Sequence, residues 1–273
     1  MSGKIYVVGT PIGNLGDFSP RAREILCSVD FIAAEDTRVT AKILNRFEIK
    51  KETVSYYEHN KNKKGAYLIE RVLGGENLAI VSDAGMPAIS DPGEDIVKAA
   101  HENGIKVESV PGPSALTAAL SVSGFPTGRF CFEGFLSVNK ISRKKHLEEI
   151  KNEKRTLVFY EAPHKLLKTL YDMRDMLGER DICVVRELTK IHETVYHFNF
   201  TSAIKHFEEN APKGEFVLII KGADEQNVQS MTFDEAVTLA KKLVSEGQPL
   251  SAAAKEAANV GGFKKGEIYK VLI

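Results

Sequence analysis

The chain has 273 residues, of which 43% are hydrophobic and 27% charged, a composition that supports a buried core and excludes disordered and fibrous proteins. Its 37 Lys and Arg residues balance 37 Asp and Glu residues, so a polyanionic partner would need local basic patches rather than a global positive field. Cys27, Cys131 and Cys183 are widely spaced and fit neither a disulfide framework nor a metal site, and we interpret them as reduced core residues. No segment has the length of a signal peptide or a membrane span, so we expect a cytoplasmic protein without a membrane partner.

The first half of the chain alternates short β-branched runs with amphipathic stretches, a rhythm typical of a parallel sheet with crossover helices. Proline and glycine stand at nearly every joint between a strand and the next helix, where they free the backbone for ligands. We therefore predict an N-terminal α/β lobe over residues 1–123. Its predicted strands are 4–9, 30–34, 78–82 and 107–110, and its predicted helices follow Pro20 and cover 40–47, 96–103 and 114–122.

A second α/β lobe is predicted over residues 124–222, after a boundary at the segment GFPTG. Its last strands follow one another without a predicted helix between them, so we expect a mixed, partly antiparallel sheet. The polar stretch 223–230 is a predicted linker, and three short helical patterns after it predict a helix-turn-helix-like domain over residues 231–273. The predicted strands of the second lobe are 130–136, 156–160, 182–186, 194–200 and 216–221, its predicted helices begin at Lys140 and cover 164–177, and the last three helices are 233–245, 251–258 and 264–272.

Three loops rich in glycine and proline, VVGTPIGNLGD, VSDAGMPAISDPG and VPGPSA, follow predicted strands. The carboxyl ends of strands are where open α/β sheets bind ligands, so the loops predict a small-molecule site. The first loop lacks the spacing of a nucleotide phosphate cradle, and for it a plain tight turn is an equal alternative. For Asp91 in the second loop we favour capping of the next helix.

These loops, together with the motifs AEDTR, FEGFL, YEAPHK and RELTKIHE, resemble the tetrapyrrole-methylase superfamily, and within it the branch of bacterial 16S rRNA cytidine 2′-O-methyltransferases. The resemblance runs in the same order from about residue 4 to the C-terminus. It implies an α/β fold, a two-lobed class III methyltransferase with a small C-terminal helical domain, that binds S-adenosyl-L-methionine between its lobes, usually as a homodimer. For the substrate it implies 16S rRNA in the small ribosomal subunit, at the decoding-centre cytidine 1402, with no DNA partner.

The resemblance also implies which residues line the cofactor cleft. Many superfamily members carry Gly-Asp-Pro where this chain has Ala-Gly-Met at 84–86, so we expect a backbone contact there rather than a carboxylate. The implied cofactor-binding residues are Pro11, Ile12, Gly13, Ser82, Asp83, Ala84, Gly85, Met86, Ser114, Ala115, Phe132, Glu133, Tyr160, Ala162 and Pro212.

Methyl transfer to a ribose hydroxyl needs a place for the hydroxyl proton, since the free hydroxyl is a weak nucleophile. The acidic pair after the second predicted strand supplies candidates, Asp36 or Glu35 as the proton acceptor, with Arg38 holding a phosphate. The alternative is that Asp36 caps the next helix and pairs with Arg38. Glu187 belongs to a rival charge cluster on the second lobe, whose alternative interpretation is a surface salt-bridge network.

Two basic segments, at residues 61–64 and 140–145, predict RNA contacts, although a charge run is usually a solvated face. The predicted RNA-binding residues are Lys140, Arg143, Lys144, Lys145 and Lys190. A tetrapyrrole-type methyltransferase of the same fold would not need these segments or the helical domain. A catalytically silent RNA-binding module would not need three ligand loops.

Overall fold

The structure, a computed structural model, describes residues 2–223 and 231–273 of the chain. The chain divides into two compact units, with the boundary between Lys221 and Gly222. Both predicted lobes belong to the first unit, except for Gly222 at the end of the second lobe. The predicted linker lies, except for Ala223, outside the described residues.

The first lobe is a five-stranded parallel sheet with the strand order β3-β2-β4-β1-β5, as its alternating pattern predicts. The short strand β3 and helix α3 were not predicted. Only Val54 is buried in β3, so the strand lacks an apolar run. Helix α3 begins with the polar residues KNKKG, so the apolar pattern of a helix is present only in its second half. The strands are β1 Lys4–Val8, β2 Phe31–Ala34, β3 Glu52–Ser55, β4 Leu78–Val81 and β5 Lys106–Val110, and the helices are α1 Pro20–Ser28, α2 Thr37–Arg46, α3 Lys61–Leu73, α4 Gly93–Glu102 and α5 Ala115–Val122.

Apolar side chains cover both faces of this sheet, which explains why its strands are continuous apolar runs. Phe31 and Leu78 pack with helices α3 and α4 on one face. Ile32 and Ala79, the next residues along the same strands, pack with α1 and α2 on the other. Each fully buried large side chain stabilises the fold by roughly 1.5–3 kcal/mol, so the sheet holds its strand ends in a fixed arrangement.

The second lobe is a mixed five-stranded sheet with the order β6-β7-β10-β8-β9, which confirms the expected antiparallel character. Strand β10 is antiparallel to both β7 and β8, and β6 is parallel to β7. Helix α8 was not predicted, because its first residue, Phe200, continues the alternating pattern of β9. The strands are β6 Phe130–Phe135, β7 Thr156–Glu161, β8 Asp181–Arg186, β9 Thr194–Asn199 and β10 Phe216–Ile220, and the helices are α6 Lys140–Glu149, α7 Leu166–Leu177 and α8 Phe200–Glu209.

The two faces of the second sheet have different neighbours. Helices α6, α7 and α8 pack on one face through Leu147, Leu170 and Phe207. Helix α5 of the first lobe packs on the other face, where Ala119 and Leu120 contact the strands. Helix α5 therefore joins the lobes, and α6 lies on the face away from it.

The second compact unit contains α9 Phe233–Ser245, α10 Leu250–Gly261 and α11 Lys265–Leu272, which confirms the three predicted helices. A capping box between Thr232 and Glu235 starts α9, and Gly262 in the left-handed conformation ends α10. Its core is built mostly of alanines together with Ile268. Within residues 2–223 and 231–273, no helix combines the length and apolar character that crossing a bilayer requires.

All three cysteines are free, but only Cys183 is a buried core residue. Cys131 is partly buried, and Cys27 is exposed on α1. The prediction that Cys27 belongs to the core is therefore wrong, because it lies on the outward face of an amphipathic helix whose buried residues are Ala22 and Leu26.

Candidate active site

A cavity of about 520 Å³ lies between the two lobes of the first unit. On one side are loops at the carboxyl ends of β1, β2, β4 and β5, and on the other are residues of β6, β7, β8 and β10. Its volume is within the range of pockets that enclose small molecules. Ten of the predicted cofactor residues line it: Ile12, Ser82, Asp83, Ala84, Gly85, Met86, Ser114, Ala115, Tyr160 and Ala162.

The loop at residues 82–86 is held by backbone contacts rather than by large side chains. The amide of Thr10 donates to the carbonyl of Gly85 (2.9 Å), and the amide of Gly85 donates to the carbonyl of Thr10 (3.1 Å). Gly85 has φ +86°, a conformation that favours glycine, and a Cβ there would lie 3.3 Å from the side chain of Ile12. The loop can therefore bring its backbone close to a bound molecule.

Tyr160 connects the lobes at the cavity wall. Its hydroxyl oxygen accepts a hydrogen bond from the amide of Leu116 in the first turn of α5 (3.0 Å). The ring of Phe132 packs against it at 5.0 Å between ring centroids. Burial raises the pKa of Tyr160, so the hydroxyl stays protonated.

Glu35 and Asp83 are two of the five carboxyl groups that line the cavity, and both are partly buried. Burial raises the pKa of Glu35, and the negative charge of Asp83 raises it further. Asp83 Oδ1 accepts a hydrogen bond from the amide of Asp36 (2.9 Å), which ties the loop after β4 to the turn after β2. Glu35 is thus a carboxylate with increased proton affinity on a turn that Asp83 holds.

Asp36 caps helix α2 and pairs with Arg38, as the alternative to a catalytic role expected. Its carboxylate accepts hydrogen bonds from the amide of Arg38 (2.8 Å) and from the Arg38 guanidinium (2.6 Å), so it caps α2. These hydrogen bonds lower the pKa of Asp36 to about 2. A carboxylate with so low a pKa is a weak proton acceptor.

Glu187 and Lys190 form a network outside the cavity lining. Lys190 Nζ donates to Glu187 (2.9 Å) and to Glu215 (2.9 Å), and Glu187 also accepts from the amide of Glu215 (2.9 Å). The ammonium of Lys190 lowers the pKa of Glu187. The prediction that Lys190 contacts RNA is not supported, because two carboxylates already neutralise its charge.

Gly13 lies against this network. A Cβ on Gly13 would come within 2.5 Å of the Lys190 side chain and 2.9 Å of Thr189. The first loop therefore packs on the second lobe. Gly13 closes one edge of the interlobe region rather than lining the cavity.

Four further predicted cofactor residues, Pro11, Phe132, Glu133 and Pro212, also lie outside the cavity lining as the described residues define it. Pro11 is buried beside Ile12, and Glu133 Oε2 lies within hydrogen-bond distance of His146 Nε2 (2.8 Å). Pro212 lines a different cavity of about 320 Å³. Phe132 instead packs against Tyr160, at 5.0 Å between ring centroids.

The prediction that Arg143 contacts RNA is wrong. Its side chain is buried, with the residue only 3% exposed, and its guanidinium donates to Asp172 (2.6 and 2.8 Å) and to the carbonyls of Ser137 and Val138. Lys140 and Lys145 on the same helix are exposed, and Lys144 is partly exposed. The spacing of the basic run does not reveal that one of its members turns into the core.

Sequence reasoning missed several residues of the cavity wall. Ile89 and Phe135 both line it and are both exposed to solvent. The other second-lobe residues of the lining that were not predicted are Glu161, Pro163, Val185, Leu188, Glu215, Phe216 and Val217. Phe135 stands inside the FEGFL motif, but only the register of the strand shows that this phenylalanine faces the cavity. Among the residues that the structure describes, no three His, Cys, Asp or Glu side chains lie together as a metal site.

Comparison with known proteins identifies relatives of nearly the same length. A protein from Synechocystis sp. and one from Xylella fastidiosa, both named ribosomal RNA small subunit methyltransferase I, are 44% and 46% identical to this chain. The alignments cover 98% of this chain in both cases and 97% and 98% of the relatives. A Thermotoga maritima protein of the same name is 46% identical over 222 residues, which is 81% of this chain and 100% of that protein.

Solved structures share the fold at low identity. Diphthine synthase matches with a TM-score of 0.63 and 15% identity, over 81% of this chain and 90% of that one. Uroporphyrin-III C-methyltransferase from Thermus thermophilus, in complex with S-adenyl homocysteine, matches with a TM-score of 0.56 and 18% identity, over 80% and 97%. The family model for tetrapyrrole (corrin/porphyrin) methylases matches residues 4–204. The chain therefore belongs to the tetrapyrrole methylase family, and within it to the group of ribosomal RNA small subunit methyltransferase I proteins.

Proposed function

We propose that this chain is an S-adenosylmethionine-dependent methyltransferase of small-subunit ribosomal RNA that modifies the 2′-hydroxyl of a cytidine. The observation that carries the proposal is the interlobe cavity, which combines small-residue loops with the Glu35 carboxyl group. The names of the full-length relatives indicate the RNA substrate.

The cavity fits S-adenosylmethionine in volume and in lining. Ser82, Ala84 and Gly85 on one loop, with Ser114 and Ala115 on another, present backbone and small polar groups. Gly85 adopts a conformation that favours glycine, which has no side chain to obstruct a ligand. When bound, S-adenosylmethionine supplies a methyl group activated on a sulfonium.

Glu35 is the proposed proton acceptor. Its partly buried carboxylate lines the cavity, and its raised pKa makes it a better base than an ordinary carboxylate. With S-adenosylmethionine bound, the cofactor would supply the methyl group and leave as S-adenosylhomocysteine, and the Glu35 carboxylate would accept the proton of the ribose hydroxyl. Asp83, through its hydrogen bond to the Asp36 amide, positions the turn that carries Glu35.

Arg38 is the proposed phosphate contact beside this carboxylate. Its side chain is 88% exposed although it pairs with Asp36. It follows Glu35 by three residues at the start of α2. A phosphate neighbouring the target ribose can therefore approach the guanidinium from solvent.

By the resemblance to the ribosomal branch, the proposed target is the decoding-centre cytidine 1402 of 16S rRNA in the small ribosomal subunit. The enzyme acts as a homodimer, as most members of the superfamily do, and works in the cytoplasm where ribosomes are assembled. Sedimentation at micromolar concentration tests the dimer.

A labelling assay tests the function. The protein is incubated with methyl-labelled S-adenosylmethionine and, in separate reactions, small ribosomal subunits, naked 16S rRNA and tetrapyrrole precursors. We expect label in the rRNA, in an alkali-resistant dinucleotide, because a 2′-O-methyl group removes the nucleophile that alkaline cleavage requires. Label only in the tetrapyrroles would replace this proposal with the small-molecule alternative, and no label in any substrate would contradict both.

A further inference from the structure

Two large apolar side chains line the active-site cavity without being buried. Phe135 of the second lobe is 55% exposed, and Ile89 of the first lobe is 49% exposed. A single exposed apolar side chain is ordinary on a protein surface. Two of them on the same cavity, one from each lobe, form an apolar surface beside the place where the reaction occurs.

A β-bulge directs Phe135 into the cavity. Strands β6 and β7 pair with one extra residue on β6, Glu133, between Phe132 and Gly134. Without the extra residue, strand alternation would put Phe132 and Phe135 on opposite faces of the sheet. With it, both rings lie beside Tyr160, at centroid distances of 5.0 and 5.4 Å.

A strained turn directs Ile89 toward the same cavity. Its neighbours Ala88 and Ser90 both have positive φ, 64° and 63°, a conformation that side chains other than glycine disfavour. Asp91 Oδ1 holds the turn by accepting hydrogen bonds from the amides of Ala88 (2.9 Å) and Gly93 (2.7 Å). The exposure of Ile89 therefore results from a maintained backbone conformation.

The turn and the bulge are in contact with each other. A Cβ built on Gly134, which has φ +62°, would lie 3.1 Å from Ser90 Oγ. Gly134 thus allows the two segments to approach closely. The approach brings Phe135, which follows Gly134, and Ile89, which precedes Ser90, to one region of the cavity wall. Ile89 and Phe135 consequently belong to one surface.

We propose that Phe135 and Ile89 hold the base of the methyl-accepting nucleotide, with Phe135 as the stacking face. This inference rests on the proposed function. A nucleotide whose ribose enters a cavity must leave the stack of its RNA, and recognition proteins replace the lost stacking with aromatic side chains. Half-exposed side chains suit a substrate that arrives from solvent, whereas an enclosed cofactor is surrounded by the small-residue loops.

The test compares variants of the full chain by two measurements. The first is the KM for small ribosomal subunits in the labelling assay, and the second is S-adenosylmethionine affinity by calorimetry without RNA. Loss of one base stack should raise the KM of Phe135→Ala by roughly five- to 150-fold, with cofactor affinity within about twofold of wild type. Ile89→Ala should raise the KM by a smaller factor.

Matched variants separate stacking from apolar bulk and from folding. Phe135→Tyr keeps a flat ring and should retain a KM near that of wild type, whereas Phe135→Leu keeps apolar volume without a ring and should resemble Phe135→Ala. Phe130→Ala is the control, since Phe130 lies on the same strand, is 37% exposed and is not part of the cavity lining. Phe130→Ala should have a wild-type KM.

The outcomes distinguish this inference from the function on which it rests. If the wild-type chain methylates rRNA and Phe135→Ala or Phe135→Leu does so with an unchanged KM, the stacking role is wrong and the function stands. If Phe135→Ala weakens cofactor binding without RNA, Phe135 is a wall of the cofactor site and the inference is also wrong. If the wild-type chain transfers no methyl group to RNA, the function fails and the inference fails with it.

Discussion

The carboxylate of Glu35 differs from that of its neighbour Asp36 although the two are adjacent in sequence. Glu35 lines the cavity with a raised pKa, whereas Asp36 is held by Arg38 with a pKa of about 2. We expect Glu35→Gln to lower the single-turnover methylation rate on the order of 10²–10⁴-fold, the contribution of a positioned base, with nearly unchanged cofactor affinity. Rapid-quench measurements with excess enzyme report this rate.

Asp36→Asn is the matched control, because asparagine caps a helix as well as aspartate does. It should retain most of the rate. A large loss in Asp36→Asn together with a wild-type rate in Glu35→Gln would make Asp36 the proton acceptor. Glu187→Gln, outside the cavity lining, should also leave the rate of the chemical step unchanged.

The raised pKa of Glu35 also sets the direction of two pH effects. The rate should rise with pH through an ionisation above the usual glutamate range, because only the ionised carboxylate accepts a proton.

The free energy of unfolding changes with pH in the opposite direction. The folded state holds the proton more tightly than the unfolded state, so its advantage is present at low pH and is lost as the pH rises through the raised pKa. Glu35→Gln should therefore be more stable than wild type at neutral pH but not in acid, as urea titrations at several pH values would report.

Arg143 and Asp172 form a buried ion pair in which the arginine also satisfies two backbone carbonyls. Arg143→Ala leaves Asp172 as a poorly solvated charge without its partner, and breaking such a pair costs about 3–5 kcal/mol. We expect a loss of that size in the free energy of unfolding from urea denaturation. Lys144→Ala, one residue away and partly exposed, should change it by less than about 0.5 kcal/mol. Equal stability of the two variants would contradict the structural role of Arg143.

Helix α6 presents its remaining basic residues, Lys140, Lys144 and Lys145, on the side away from the core. If they contact RNA phosphates, each contact releases counterions, and the slope of log affinity against log salt depends on their number. Replacing all three with alanine should make that slope less steep by about two, on the basis of roughly 0.7 for each single-strand contact. Filter binding to 16S rRNA at several salt concentrations measures it.

The control for this helix replaces three exposed lysines on other helices, Lys98, Lys168 and Lys205. It removes the same net charge from different places. Equal effects of the two triple variants would mean that α6 acts only through net charge, and no effect of either would make it a solvated face.

At the scale of the whole molecule, all residues of the cavity lining, from Ile12 to Val217, belong to the first compact unit. The Thermotoga maritima relative, whose full length aligns over 222 residues, has about the length of that unit. We expect a chain that ends at Lys221 to fold and to bind S-adenosylmethionine within about twofold of the full chain, as calorimetry would measure. A cofactor affinity reduced more than tenfold would show that the cavity depends on the C-terminal helices.

The sequence alone determined the elements whose pattern depends on neighbours along the chain. Continuous apolar runs indicated the parallel strands, and glycine and proline indicated the loops at their ends. The motifs and their order along the chain indicated the family. The tertiary structure decided which side chains face the cavity. Arg143 turns inward because its helix packs on a sheet, Lys190 meets Glu215 from a distant turn, and Phe135 reaches the cavity because a bulge shifts the alternation of its strand. Each of these outcomes depends on contacts between residues far apart in sequence, which no local pattern encodes.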